Sequence, residues 1–477
     1  MQQSASLNET LKETSVEAAP NQQPLGKLPA DKRTLLPVLL GALGFLLFGY
    51  DTGVIAGALL FIRTEMGLTP TQQGLVVSVL LAGAAIGAVV SGRLVERFGH
   101  RRLLMGAGVL FTLGAALAAL AIDVTMLIAA RFILGLAVGA ASTQVMLYLS
   151  EIAPTASRGT LSTIGPLTGT TGILLAYLVG YALSGSGEWR WMFGVAIVPS
   201  VLLTVGMFAA PDSPRWLAHH GRLTEARATL AMVYPADQVD RELARISRVT
   251  RMPSLGLGAL LTDRSVRRPL LIACTLAVLQ QIVGINTVVY YAPTILRNIG
   301  FGASDAILTT SGLQFLAVIA SIFTARIVDS TGRRPLLMIG AGVMAAALIS
   351  IGLIMSTPLS QTTAGHVIAV ISLAVYKMAF SFSWGPLVWV MMPEVLPHRA
   401  RGPGMGFATL MNWASNFVVS LLFPILLGIG ALTVFGVFVG FCFVAFLFTW
   451  FVLRETAGVS LETIETEEMG VGAVPVH

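Results

Sequence analysis

The sequence predicts an all-α polytopic membrane protein with twelve transmembrane helices in two six-helix halves, joined by a cytosolic helical insert. Three observations carry this prediction. Of the 477 residues, 55% are hydrophobic and only 11% charged, with a mean hydropathy of +0.80, whereas soluble domains carry about 25% charged residues. Twelve apolar stretches approach the ~20 residues that a helix needs to cross roughly 30 Å of hydrocarbon. The loops of the first half recur, in order, in the second.

Residues 1–33 are polar, rich in Gln, Glu and Lys, and lack an apolar run with a cleavage site, which predicts a disordered cytoplasmic tail. The first half, 34–210, has spans expected near Leu35 to Leu60, Gln73 to Leu94, Leu103 to Ala121, Val124 to Leu149, Gly159 to Leu183 and Trp191 to Ala210. The third and fourth are separated only around Asp123. In the linker, 211–268, Trp216, Leu223, Ala226, Leu230 and Val233 recur at helical spacing and predict one amphipathic helix, with a second, basic one over Arg241 to Arg251. The second half, 269–453, has spans expected near Pro269 to Leu296, Ile307 to Val328, Pro335 to Met355, His366 to Met392, Gly404 to Leu427 and Leu432 to Leu453. Residues 454–477 form a second cytoplasmic tail.

Short cytoplasmic loops collect Lys and Arg. The linker carries ten arginines, and the loop after the second span adds Arg97, Arg101 and Arg102; the opposite loops offer only Arg63, Arg190 and Arg297. Both termini are therefore expected to be cytoplasmic. The formal charge of +6 and pI near 9.6 follow from this asymmetry and do not imply nucleic acid as a partner. Cys274 and Cys442 fall inside spans, without metal-ligand spacing and where a structural disulfide is not expected.

The repeat is read from two loop pairs. Gly92-Arg93-Leu94-Val95-Glu96-Arg97-Phe98-Gly99-His100-Arg101-Arg102 is matched by Ala325-Arg326-Ile327-Val328-Asp329-Ser330-Thr331-Gly332-Arg333-Arg334, at an offset of 233 residues. Glu151-x-x-Pro154-x-x-x-Arg158-Gly159 is matched by Glu394-x-x-Pro397-x-x-x-Arg401-Gly402, at an offset of 243. Such repeats place a substrate site between the halves near the midplane. Glu96, Arg101, Arg102, Asp329, Arg333 and Arg334, with Glu151 and Arg158 and their counterparts Glu394 and Arg401, are expected to pair across helix ends as a cytoplasmic gate; as positive-inside anchors they would carry no such role.

Asp51 lies within the apolar run Gly44 to Ile62. A charge at mid-bilayer costs roughly 2.5–3.5 kcal/mol on insertion scales, and such groups face a partner or a water-filled path. A carboxylate that gains and loses a proton there suggests a proton-coupled carrier.

Five motifs, in this order, carry a resemblance: Phe48-Gly49-Tyr50-Asp51-x-Gly53; the paired Gly-Arg-Arg loops; Pro211-Asp212-Ser213-Pro214-Arg215; Gln280-Gln281-x-x-Gly284-Ile285-Asn286; and Trp384-Gly385-Pro386-x-x-Trp389. From about Leu35 to Glu462 the chain resembles the sugar porter family of the major facilitator superfamily, which includes xylose, galactose and arabinose proton symporters and facilitative glucose carriers. Its closing signature, Pro-Glu-Thr-x-Gly, appears as Arg454-Glu455-Thr456-Ala457-Gly458, a departure at the first position.

The resemblance implies that Asp51 is the coupling aspartate and Arg131 of the fourth span its partner. Asp51 is 16 residues, roughly 24 Å, from the inner start of its helix; Arg131, seven residues from the outer start, lies roughly 20 Å from the inner side, so the two can meet. A purely structural ion pair is the alternative. For a sugar, Gln280, Gln281 and Asn286 would supply amides, joined by Trp389, Asn412 and Trp413; amides in a span also serve as interhelical glue. Pro166, Ile173 and Ala317 stand where the family carries polar contacts, for which Gln314 or Thr168 would compensate. Lys377, halfway down the tenth span where the family is neutral, would bind an anionic substrate, take part in coupling, pair internally or snorkel.

The expected function is proton-coupled symport of a monosaccharide or polyol by alternating access, driven by the proton gradient without a cofactor, by a monomer in the inner or plasma membrane. The alternatives are a proton-coupled carrier of an organic anion such as a sugar acid, and a facilitative sugar carrier. No nucleophile–base pair, metal cluster or phosphate loop points to an enzyme.

Overall fold

The computed structural model describes residues 32–152, 158–232, 234–249, 262–397, 400–453 and 455. Among them twelve helices are long and apolar enough to cross a membrane, and there is no strand. The first five are Lys32–Glu65, Pro70–Phe98, His100–Ala119, Val124–Ile152 and Arg158–Ser184, and the sixth comprises Trp189–Gly194 and Ile197–Ala209. The seventh comprises Arg264–Ile282 and Ile285–Asn298; the eighth and ninth are Ala303–Thr331 and Arg333–Met355; the tenth comprises Thr363–Phe382 and Trp384–Val395; the last two are Arg401–Ile429 and Ala431–Phe451. Both predicted tails lie outside the described residues apart from Lys32, Arg33 and Glu455.

Local chemistry sets the boundaries. Thr69 caps the second span in a reciprocal box with Gln72, and Pro70 opens the helix. Asp123 Oδ1 accepts from the Met126 amide at 2.7 Å, which starts the fourth span and separates it from the third. The seventh span breaks at Gly284, whose φ of 98° is a left-handed conformation that costs glycine little.

Small residues let the helices of the first half touch. A Cβ on Gly139 would fall onto the Ala84 carbonyl, and one on Gly135 onto the Leu80 carbonyl, so the second and fourth spans approach backbone to backbone. Apolar side chains such as Val89, Val198, Leu202, Val205 and Phe443 point outward, as expected of a lipid-facing surface. The halves meet where the first span packs on the second part of the seventh, the second on the eleventh, and the fifth on the eighth.

The linker differs from the sequence expectation. In place of one helix through Trp216 and Leu230 there are two, Pro214–His219 and Leu223–Ala231, because Gly221 turns the chain at φ 72°. Val233 and Arg251 lie outside the described residues; the next helix is Ala236–Val249. Arg227 Nε donates to Asp240 Oδ1 at 2.8 Å and ties the last two together, and this hydrogen bond holds the Asp240 carboxyl below its ordinary pKa.

Candidate functional site

The first and fourth spans bring Asp51 and Arg131 together. Arg131 Nη1 donates to Asp51 Oδ1 at 2.9 Å, and its Nε donates to the Val76 carbonyl at 3.3 Å. The side chains are 5% and 1% exposed. Asp51 Oδ2 is buried with no hydrogen-bond partner among the described residues. A carboxylate with one oxygen on a guanidinium and the other unengaged keeps a place for a proton. Tyr290 of the seventh span, in the second half, is buried within electrostatic reach of both groups.

The amides form a single network. Gln280 Nε2 donates to the Trp384 and Gly385 carbonyls, each at 3.0 Å, while its Oε1 accepts from Asn412 Nδ2 at 2.8 Å and Gln281 Nε2 at 3.3 Å. Gln281 Nε2 also donates to Asn412 Oδ1 at 3.0 Å, and Gln281 Oε1 accepts from Asn286 Nδ2 at 2.5 Å. The Gly284 break makes that last contact, since on a continuous helix residues five apart face different ways. Such a network can exchange its internal bonds for those of a hydroxylated ligand, which both donates and accepts.

The aromatic candidates separate. Trp413 is half-buried and meets Phe48 of the first half edge-on, centroids 6.0 Å apart. Trp389 is 43% exposed. Trp384 is structural, its Nε1 donating to the Leu337 carbonyl at 3.0 Å. Gln314 Nε2 crosses the halves to the Thr170 carbonyl at 3.0 Å, leaving its Oε1 buried without a partner among the described residues. Thr168 turns to the Gly165 carbonyl of its own helix. The side chain of Pro166 lies outside the described residues; Ile173 is half-buried and Ala317 buried. Lys377 is buried, its Nζ 5.7 Å from the Tyr177 ring centroid.

On the arginine-rich face the repeat becomes physical. Arg101 Nε and Nη2 donate to the Met207 and Phe208 carbonyls at 3.0 and 2.5 Å, closing the end of the sixth span. Arg334 Nε and Nη2 do the same to Thr449 and Trp450 at 3.2 and 2.6 Å, closing the twelfth. An acid following each half's last span caps the turn. Asp212 Oδ1 accepts from the Arg101 amide at 3.4 Å, and Glu455 accepts from the Arg333 and Arg334 amides at 2.9 and 3.0 Å. The departure at Arg454 thus leaves the capping acid in place.

Glu394 meets Arg333 at 3.2 Å and forms no ion pair within 4 Å with Arg401, whose Nε is buried without a partner among the described residues. The Gly332 turn, at φ 86°, directs Arg333 onto the acid first. Glu151 accepts from Ser213 Oγ and lies 3.8 Å from His100 Nδ1, so His100 holds the place of Arg333. The side chains of Arg158 and Asp329 lie outside the described residues. Glu96 and Arg102 are exposed and form no ion pair within 4 Å among them. Among the described residues these ion pairs run within each half, bracing it. Polar bridges between halves lie elsewhere: Tyr177 OH donates to the Val289 carbonyl at 2.6 Å and Ser184 Oγ to Ser304 Oγ at 2.8 Å. Glu394→Gln is expected to lower the thermal midpoint of the purified protein by a loss of about 1–2 kcal/mol, since a neutral amide replaces the carboxylate that balances the half-buried Arg333 guanidinium; an unchanged midpoint would show that the pair contributes nothing.

His100, Asp212, Ser213 and Glu455 stand in the sequence as members of motifs without an individual role, and Tyr290 stands in none. The first was visible as the counterpart of Arg333, and Asp212 and Glu455 as acids that follow the last span of each half. Among the described residues no cluster of His, Cys, Asp or Glu suits a metal, and both cysteines are free.

The family model "Sugar (and other) transporter" matches residues 38–467. The chain belongs to this sugar transporter family. It is 45% identical to a D-xylose transporter of Levilactobacillus brevis over 436 residues, covering 89% of this chain and 93% of that one. It is 38% identical to the galactose-proton symporter of Escherichia coli strain K12, covering 91% and 94%. The inward-open structure of the xylose transporter XylE from E. coli matches with a TM-score of 0.78 at 28% identity, covering 91% of this chain and 99% of that one. This member of the family is therefore a multi-pass membrane protein with the major facilitator fold, of a family of transporters rather than enzymes.

Proposed function

We propose that the protein is a proton-coupled symporter of a monosaccharide or polyol, working by alternating access in the cell membrane with both termini and the arginine-rich face on the cytoplasmic side. It runs on the proton gradient, without a cofactor, and works as a monomer. The observation that carries this reading is the buried Asp51–Arg131 pair, with an unengaged carboxylate oxygen, in a bundle that also holds the amide network. Deprotonated Asp51 is held by Arg131; protonation removes the charge that holds the first span to the fourth and frees the half to move. The sugar replaces the amides' bonds to one another and draws on both halves, through Trp413 with Phe48 and through Gln314. The loaded and empty carriers then pass between faces more readily than the half-loaded one.

The test is internal pH in proteoliposomes under an imposed pH gradient, while pentoses, hexoses and inositol are added one at a time. Proton influx triggered by a sugar supports symport; sugar entry without proton movement would make the protein a facilitative carrier. A second reading, transport of an organic anion, is favoured by one observation, Lys377.

A further inference from the structure

Lys377 is the buried charge for which the proton-coupled sugar mechanism has no use. It is 5% exposed, near the middle of the tenth span, Thr363–Val395. Among the described residues no carboxylate lies within 4 Å of Nζ and no hydrogen bond engages it. Asp51, the one acid in the middle of a described span, is committed to Arg131. The contact that Nζ does make is with the face of Tyr177, whose ring centroid is 5.7 Å away. A cation–π contact of this kind contributes about 0.5–2 kcal/mol, less than the cost of several kcal/mol for an unpaired buried ion. Retaining an ammonium there is costly unless a bound anion completes the site.

Its position connects it to the amides. The neighbouring Tyr376 donates to the Val283 carbonyl at 2.9 Å, in the break of the seventh span that lies between Gln281 and Asn286. Tyr177, beneath the ammonium, belongs to the other half and is pinned by its hydroxyl to Val289, one turn beyond Asn286. Lys377 thus stands at the level of the amide network and on the seam between the halves, where a substrate is contacted from both sides.

Resting on the symport reading above, we propose that the site takes monosaccharides bearing a carboxylate, uronates or aldonates, with Lys377 binding the carboxylate and Gln281, Asn286 and Asn412 the hydroxyls. One ammonium matches one negative charge. A phosphate dianion would call for a second cation, and Arg131 is already held by Asp51. Lys377 is then the specificity-determining residue that separates acidic sugars from neutral ones.

The test uses the full-length protein in proteoliposomes, with D-glucuronate and D-gluconate compared against D-glucose and D-xylose for proton influx under the same gradient. The expected result is influx with the acids at a half-saturating concentration at least tenfold below that for the neutral sugars. Lys377→Met should raise the value for the acids at least tenfold relative to that for the neutral sugars; Lys377→Arg should retain the acid response. Influx with the neutral sugars alone would overturn this inference and leave symport standing, whereas silence with every sugar would overturn both. Should Lys377→Met fail to fold, the preference of the unaltered protein between acids and neutral sugars decides.

Discussion

Asp51→Asn is expected to abolish uphill accumulation while leaving exchange of substrate down its own gradient. Asparagine preserves the shape and can still accept from Arg131, so the guanidinium keeps a hydrogen bond; removing one partner of a buried pair outright costs about 3–5 kcal/mol. What it cannot do is take up or release a proton. One pH unit corresponds to about 1.4 kcal/mol per proton carried, or roughly tenfold accumulation. Under such a gradient the unaltered protein should therefore concentrate its substrate about tenfold for each proton carried, and the variant should equilibrate at about one. Counterflow of labelled substrate should persist. Undiminished accumulation with normal proton influx would remove Asp51 from coupling and leave the ion pair a structural feature.

Gln281→Ala is expected to raise the half-saturating substrate concentration by about tenfold or more with near-normal expression. Gln281 joins Gln280, Asn286 and Asn412; truncating it leaves buried amide groups unpaired and takes two hydrogen-bonding atoms from the ligand. Each unsatisfied group costs about 1–3 kcal/mol, and about 1.4 kcal/mol is a factor of ten. Substrate titration by tryptophan fluorescence, with Trp413 as the reporter, separates weakened binding from slowed transport. An unchanged value would mean that the amides only hold helices together.

Much of the fold was legible because a bilayer leaves few choices. Backbone groups in hydrocarbon must be satisfied within their own segment, so twelve apolar stretches became twelve helices. Asp51 was legible for the same reason, as a carboxyl that stands out in an apolar run. Arg131 was named by resemblance, and the distance along two antiparallel helices made the meeting feasible; the structure brings the two to 2.9 Å.

Other features depended on backbone turns that composition does not reveal. Gln281 and Asn286, five apart, share a hydrogen bond because Gly284 breaks the helix between them. The linker helix predicted through Leu223 is divided at Gly221. On the arginine-rich face the paired loops are visible as a repeat, while the turns decide which residue meets which acid: His100 lies by Glu151, Arg333 meets Glu394, and Arg101 and Arg334 close helix ends.

The sequence by itself determined the number of spans, the internal repeat, the family and the residues able to carry charge or hydrogen bonds inside the membrane, because hydrophobic length and motif order are one-dimensional properties. Only the tertiary structure decided which of those residues meet: that the amides satisfy one another, that the ion pairs of the arginine-rich face brace each half, and that Lys377 has an aromatic face from the opposite half and no acid. Those outcomes turn on a few degrees of backbone at glycine turns and on side-chain reach across helices, which spacing along the chain does not specify.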